Sequence, residues 1–113
     1  MALLLKEGVS LDGLAEAGAR IMSALEEASE MLEKDLTLTC TTGDHPPTDP
    51  HSNGNAIDIR TRDLEDAEKA WLREYLRIQL GRQFYVAQEM DDTPGATAEH
   101  LHVQLRKGVV YEP

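Results

Sequence analysis

Two short stretches of this chain carry side chains suited to one kind of chemistry. HSNGNAID sets His51 seven positions before Asp58, with the small residues Gly54 and Ala56 between them. EHLHVQL, near the far end, adds His100 and His102. The fourth histidine, His45, lies just upstream of the first stretch. Two imidazoles and a carboxylate are three ligands, and catalytic zinc commonly takes three and keeps a fourth position for water. The set His51, Asp58 and His102 is the candidate, and the same donors also suit iron or cobalt.

These residues need elements to hold them. NAIDIRT reads as a strand, with Ile57 and Ile59 on one face and Ala56, Asp58 and Arg60 on the other. HLHVQLR reads the same way: Leu101, Val103 and Leu105 alternate with His100, His102 and Gln104. If the apolar faces meet helices, Asp58 and His102 project from the same uncovered face. His51 would reach it from GDHPPTDPHSNG, whose prolines, glycines and short polar residues make a loop. Gly54 lets that loop turn tightly, and Ala56 leaves room beside Asp58.

The remaining elements follow from periodicity. Ser10 can cap a helix running to about Glu33, with Leu14, Gly18, Ile21, Leu25, Ala28 and Leu32 on one face. LTLTCTT is a β-branched, alternating strand. A second helix is predicted from near Asp63 through Leu64, Ala67, Trp71, Tyr75 and Ile78, with Gly81 as its stop. QFYVAQE is a further strand and MDDTPGAT a turn-rich connection. The expected order is α, β, β, α, β, β, with the last two strands in an antiparallel hairpin. The fold class is α+β, a small antiparallel sheet packed on helices.

Composition narrows the function. The chain has 113 residues, enough for one domain, here 1–113. Acidic residues outnumber basic ones 21 to 11, a net charge of −10. That disfavours nucleic acid, which calls for a basic footprint, and anionic lipid. Cys40 is alone, so an internal disulfide and a four-cysteine zinc site are excluded; it reads as a small buried residue of LTLTC. No apolar run approaches the ~20 residues of a membrane span. MALLLKEGVS lacks a basic n-region and a cleavage site, so no signal peptide is expected. Synthesis in the cytoplasm is the expectation.

On spacing alone the metal site has a plain rival. His51 in a solvated loop, and His100 and His102 on an exposed sheet face, explain the pattern equally well. The runs EEASE and DLEDAE read as solvated helix faces.

The combined stretches resemble the zinc-dependent D-alanyl-D-alanine carboxypeptidase family, which shares its fold with the Hedgehog signalling domain. The family pattern is H-x2-G-x-A-x-D followed by H-x-H, and His51, Gly54, Ala56, Asp58, His100 and His102 occupy every fixed position. DIRTR after the aspartate, His45, and LGRQFYVAQE are similar to the short single-domain members of phages and bacteria. The resemblance covers nearly the whole chain. It implies a Hedgehog/DD-peptidase-like fold and zinc on His51, Asp58 and His102. It implies that His100 sits beside the metal and that Glu89, at a strand end, is the general base. The implied substrate is the stem peptide of peptidoglycan, cut as carboxypeptidase or endopeptidase. In a phage such an enzyme would act in lysis, on the cell wall once released.

Two departures stand out. MDDTPGATAE separates Glu89 from H-x-H, longer than usual, which makes Glu99 a rival base. Strict alternation would aim Glu99 at the opposite face. The arginine that larger members carry upstream of the ligand histidine is missing from TTGDHPPTDP, so His45 or Arg60 would take part of its role, though Arg60 and Arg62 could equally pair with nearby acids. The alternative function is a non-catalytic zinc-stabilised structural or binding module, such as a virion component, on the same fold.

Overall fold

A computed structural model describes residues 2–41, 54–90 and 99–113; at 89 and 90 it describes the backbone. The loop carrying His45 and His51, and the 91–98 connection, lie outside the described residues. The elements are β1 (Leu3–Leu5), α1 (Glu16–Leu32), β2 (Leu36–Cys40), β3 (Ala56–Arg60), α2 (Asp66–Leu80), β4 (Phe84–Met90) and β5 (Glu99–Leu105). The five strands form one sheet in the order β1-β2-β3-β5-β4.

The class is α+β, as expected, but the sheet is mixed. β1 runs parallel to β2, pairing Leu3 with Leu36 and Leu5 with Leu38. The other neighbours are antiparallel. A parallel pair needs a long crossover, and α1 supplies it. Three leucines are too few to display alternation, so β1 has no signature in its own residues. Its pairing with β2 defines it.

Both helices contribute to one core built on a single face of the sheet. Ile21, Leu25 and Ala28 of α1 and Leu72 and Leu76 of α2 are fully buried with Leu36, Leu38, Ile57, Ile59, Leu101 and Val103. The α1 stripe is the predicted one. The α2 stripe is displaced by about one position. Leu72, Leu76 and Leu80 face the core, Trp71 and Tyr75 flank it as a stacked pair 4.8 Å apart, and Ile78 is exposed. Tyr75 lies at the helix–helix seam because its hydroxyl donates to Glu27 of α1 at 2.9 Å.

Both helices begin later than their predicted caps. The Ser10 hydroxyl accepts the Asp12 amide at 3.0 Å, and the Ser10 carbonyl accepts the buried Thr41 hydroxyl, so Ser10 closes a turn instead. Asp63 likewise lies in a turn, closed by the Leu64 amide on the Thr61 carbonyl at 2.9 Å. α2 starts behind Glu65, which forms a reciprocal capping box with Glu68. Gly81 ends α2 as expected, at φ +80°. Among the described residues no helix is long and apolar enough to cross a membrane.

The start of α1 has no side-chain cap. A distant backbone group takes that place: the Ala15 amide donates to the Gly54 carbonyl at 3.1 Å. Gly54 has φ +73°, and a Cβ there would fall 2.5 Å from the Ala15 nitrogen and onto the Gly13 carbonyl. A Cβ on Gly18, in the first turns of α1, would strike the Gly54 carbonyl in return. The residues leading into β3 are therefore seated directly on the helix. Gly108 has a similar φ of +79° but open space around it. Gly108→Ala should cost only the left-handed backbone strain, about 1–3 kcal/mol. Gly54→Ala should cost clearly more, because strain and collision add. Thermal melts of the two variants check this, and equal losses would mean the close approach contributes nothing.

Candidate active-site face

The pairing of β3 with β5 builds the site. Five consecutive positions pair without interruption, Ala56 with Gln104 through Arg60 with His100. Asp58 stands directly opposite His102. Paired residues share a face, and side chains alternate along each strand. One register therefore buries Ile57, Ile59, Leu101 and Val103 and turns Asp58, His100 and His102 to the face away from the core.

The facing side chains meet. His102 Nδ1 lies 2.6 Å from Asp58 Oδ1, a charge-assisted hydrogen-bond distance. His100 Nε2 lies 3.9 Å from the other carboxylate oxygen, Oδ2. The three side chains are 13–16% exposed, so they are shielded yet reachable from solvent. Of the predicted ligands, the structure brings together Asp58 and His102, with His100 beside them. His51 lies outside the described residues, and among those described no group of three or more metal-ligating side chains is assembled.

The two rival glutamates separate by register. Glu89 of β4 pairs with His100, so its position belongs to the row of the sheet that carries His100 and Arg60. Glu99 belongs to the core side. Its carboxylate accepts from Lys69 of α2 at 2.5 Å and from the Thr61 hydroxyl at 2.9 Å. Gln88 reaches the same carboxylate at 3.3 Å and the Thr61 oxygen at 2.8 Å. Glu99 thus ties the first residue of β5 to α2 and to the end of β3.

This network has a pH signature. The Lys69 hydrogen bond, then that of Thr61, hold the Glu99 carboxyl below the usual glutamate range. The Glu99 hydrogen bond raises Lys69 above the usual lysine range. A lowered acid stabilises the fold above its unfolded pKa of roughly 4.3 and loses that contribution as pH falls through the folded value. A raised base contributes below roughly 10.4 and loses its contribution as pH rises through the folded value. The pair is complete between these limits. Glu99→Gln should lower the melting midpoint at pH 7 and narrow its difference from wild type at about pH 2–3. A constant difference across that range would mean that the pairing does not support stability.

Three features of the face have no strong signal in the residues alone. Gln104 Oε1 lies 2.7 Å from His102 Nε2; alternation puts Gln104 on this face but says nothing of the contact. The Tyr85 ring stands 6.4 Å from the His102 ring, tilted 57°, because Tyr85 pairs with Gln104. Cys40, expected as a buried filler of β2, is half-buried and pairs with Asp58 after an irregularity between Leu38 and Cys40. Arg60 pairs with His100 across β3 and β5 and lies in the same row as Glu89.

A groove of about 600 Å³ lies between β1 and α1. Leu3, Leu5, Leu11 and Met22 line it, with Glu26, Glu27 and Glu30 at its rim. No imidazole lines it, whereas two stand on the face around Asp58. No family model matches the chain, and no curated protein or solved structure matches it either.

Proposed function

We propose that the chain is a zinc-dependent peptidase acting on peptidoglycan stem peptides, on a Hedgehog/DD-peptidase-like fold. One observation carries this reading: Asp58 and His102 are direct cross-strand partners with their polar atoms 2.6 Å apart, on the sheet face turned from the core. An aspartate oxygen and an imidazole nitrogen are a donor set that zinc accepts. His51, seven positions before Asp58, would complete it from the loop. Zinc supplies Lewis acidity when bound, polarising a carbonyl.

The chain's own residues supply the rest. Glu89 is the proposed general base, taking a proton from the attacking water and passing it to the leaving amine. Its register opposite His100 supports that role. His100, 3.9 Å from Asp58, would donate to the oxygen that gains charge during attack. Glu99, engaged by Lys69 and Thr61, is assigned a structural role instead.

The deciding experiment incubates zinc-loaded protein with purified peptidoglycan and follows released fragments by mass spectrometry. Fragments cut within the stem peptide are the expected result. Bound zinc with intact peptidoglycan would favour the non-catalytic module. Glu89→Gln should keep the zinc and lose about 100- to 10,000-fold in hydrolysis, the usual worth of a general base. An active Glu89→Gln variant and a dead Glu99→Gln variant would exchange the two roles.

Metal content is a separate check. Protein purified without added metal should hold about one zinc per chain, reduced in His51→Ala, Asp58→Ala and His102→Ala. Ligand binding to the native state alone stabilises it by about 4 kcal/mol at a thousandfold excess over Kd. A chelator should therefore lower the melting midpoint. An unchanged midpoint and unchanged metal content would remove the metal from the proposal.

A further inference from the structure

Gln104 follows His102 by two positions on β5 and lies on the same face. Its cross-strand neighbours are Ala56 of β3 and Tyr85 of β4. Ala56 is small and leaves space on that side. The Gln104 amide makes two contacts. Its nitrogen donates to the Leu105 carbonyl at 3.4 Å, and its oxygen lies 2.7 Å from His102 Nε2.

These contacts orient each other. A backbone carbonyl oxygen only accepts, so the amide nitrogen must be the atom that faces Leu105. The amide oxygen is then the atom that faces the imidazole, and it too only accepts. His102 Nε2 is therefore the donor of the 2.7 Å bond and carries a proton. The other ring nitrogen, Nδ1, faces Asp58 at 2.6 Å.

We propose that Gln104 is a positioning residue that holds the His102 ring so that Nε2 faces the Gln104 amide and Nδ1, beside Asp58, faces a divalent cation. This rests on the metal reading above and adds a residue to it. A ligating imidazole needs its lone pair on one nitrogen and its proton on the other, and an acceptor on the protonated nitrogen decides which is which. Without a metal, Nδ1 donates to Asp58, because a carboxylate only accepts; a bound cation would take the place of that proton while Gln104 still accepts from Nε2. Tyr85 limits ring motion from the β4 side, with its ring centroid 6.4 Å from that of His102. Gln104 sets the direction of the ring within that space.

The test compares wild type with Gln104→Leu and Gln104→Glu. Zinc affinity is read by competition with a chromophoric chelator, and the His102 nitrogens by proton–nitrogen NMR of the imidazoles. Gln104→Leu should lose about 10- to 100-fold in zinc affinity, the usual worth of such an outer partner. Gln104→Glu should stay near wild type, since its carboxylate accepts the same proton. Wild type should show a protected Nε2–H on His102, with and without zinc, and Gln104→Leu should lose that protection. Zinc affinity unchanged in Gln104→Leu, or an unprotonated Nε2 in wild type, would overturn the proposal. If wild type takes no zinc, the metal reading fails by itself. The zinc-free NMR comparison then still decides whether Gln104 holds the ring.

Discussion

The unbroken register between β3 and β5 is the constraint on which the rest depends. It sends alternate residues of two strands to opposite environments at once. Ile57, Ile59, Leu101 and Val103 enter the core, and Asp58, His100 and His102 stay out of it. A slip of one position would reverse every side chain of a strand. It would expose two fully buried aliphatic residues per strand and push an imidazole or carboxylate against Leu25 or Leu72. At roughly 1.5–3 kcal/mol for each large apolar side chain, the two exposed residues alone cost about 3–6 kcal/mol, a large part of the stability of a typical domain. The hydrophobic core therefore specifies the alignment of Asp58 with His102. The polar pair does not need to hold its own strands in place.

Other contacts defend this register from its ends. The Lys69–Glu99–Thr61 network fastens the beginning of β5 to α2 and to the residue after β3. At the other end, the Leu105 amide donates to the Asn55 carbonyl at 2.9 Å, and Gly54 is seated on the start of α1. The small residues of HSNGNAID thus have a packing role besides any role beside a ligand. Gly54 fits because the helix start leaves no space for a Cβ, and Ala56, 1% exposed, is the buried cross-strand partner of Gln104.

What is legible in the residues follows the strength of each local pattern. HLHVQLR and NAIDIRT alternate cleanly, so the amino-acid sequence alone separates their two faces and places Glu99 opposite the histidines. Gly81 ends α2 because a glycine at positive φ needs no tertiary help. Helix starts are misplaced where capping residues are already engaged. Ser10 is held by Asp12 and Thr41, and Asp63 by its own turn. The α2 stripe is displaced because Trp71 and Tyr75 outweigh Leu72 and Leu76 in bulk, while the aliphatic pair fits the core. β1 exists through its partner, and the contact of Gln104 with His102 depends on rotamers. Neither leaves a trace in spacing.

β1 has a consequence for the behaviour of the protein at high concentration. It is an outer strand of three leucines, two of them about 45% exposed, with no charge inside it. Such an edge is a template for pairing with another chain. Two features blunt it. The strand is short, and Lys6, Glu7 and Gly8 follow at once, with the Lys6 amide already turned inward to Leu38. Lengthening the leucine run, or replacing Lys6 with an apolar residue, would convert a protected margin into a site of self-assembly.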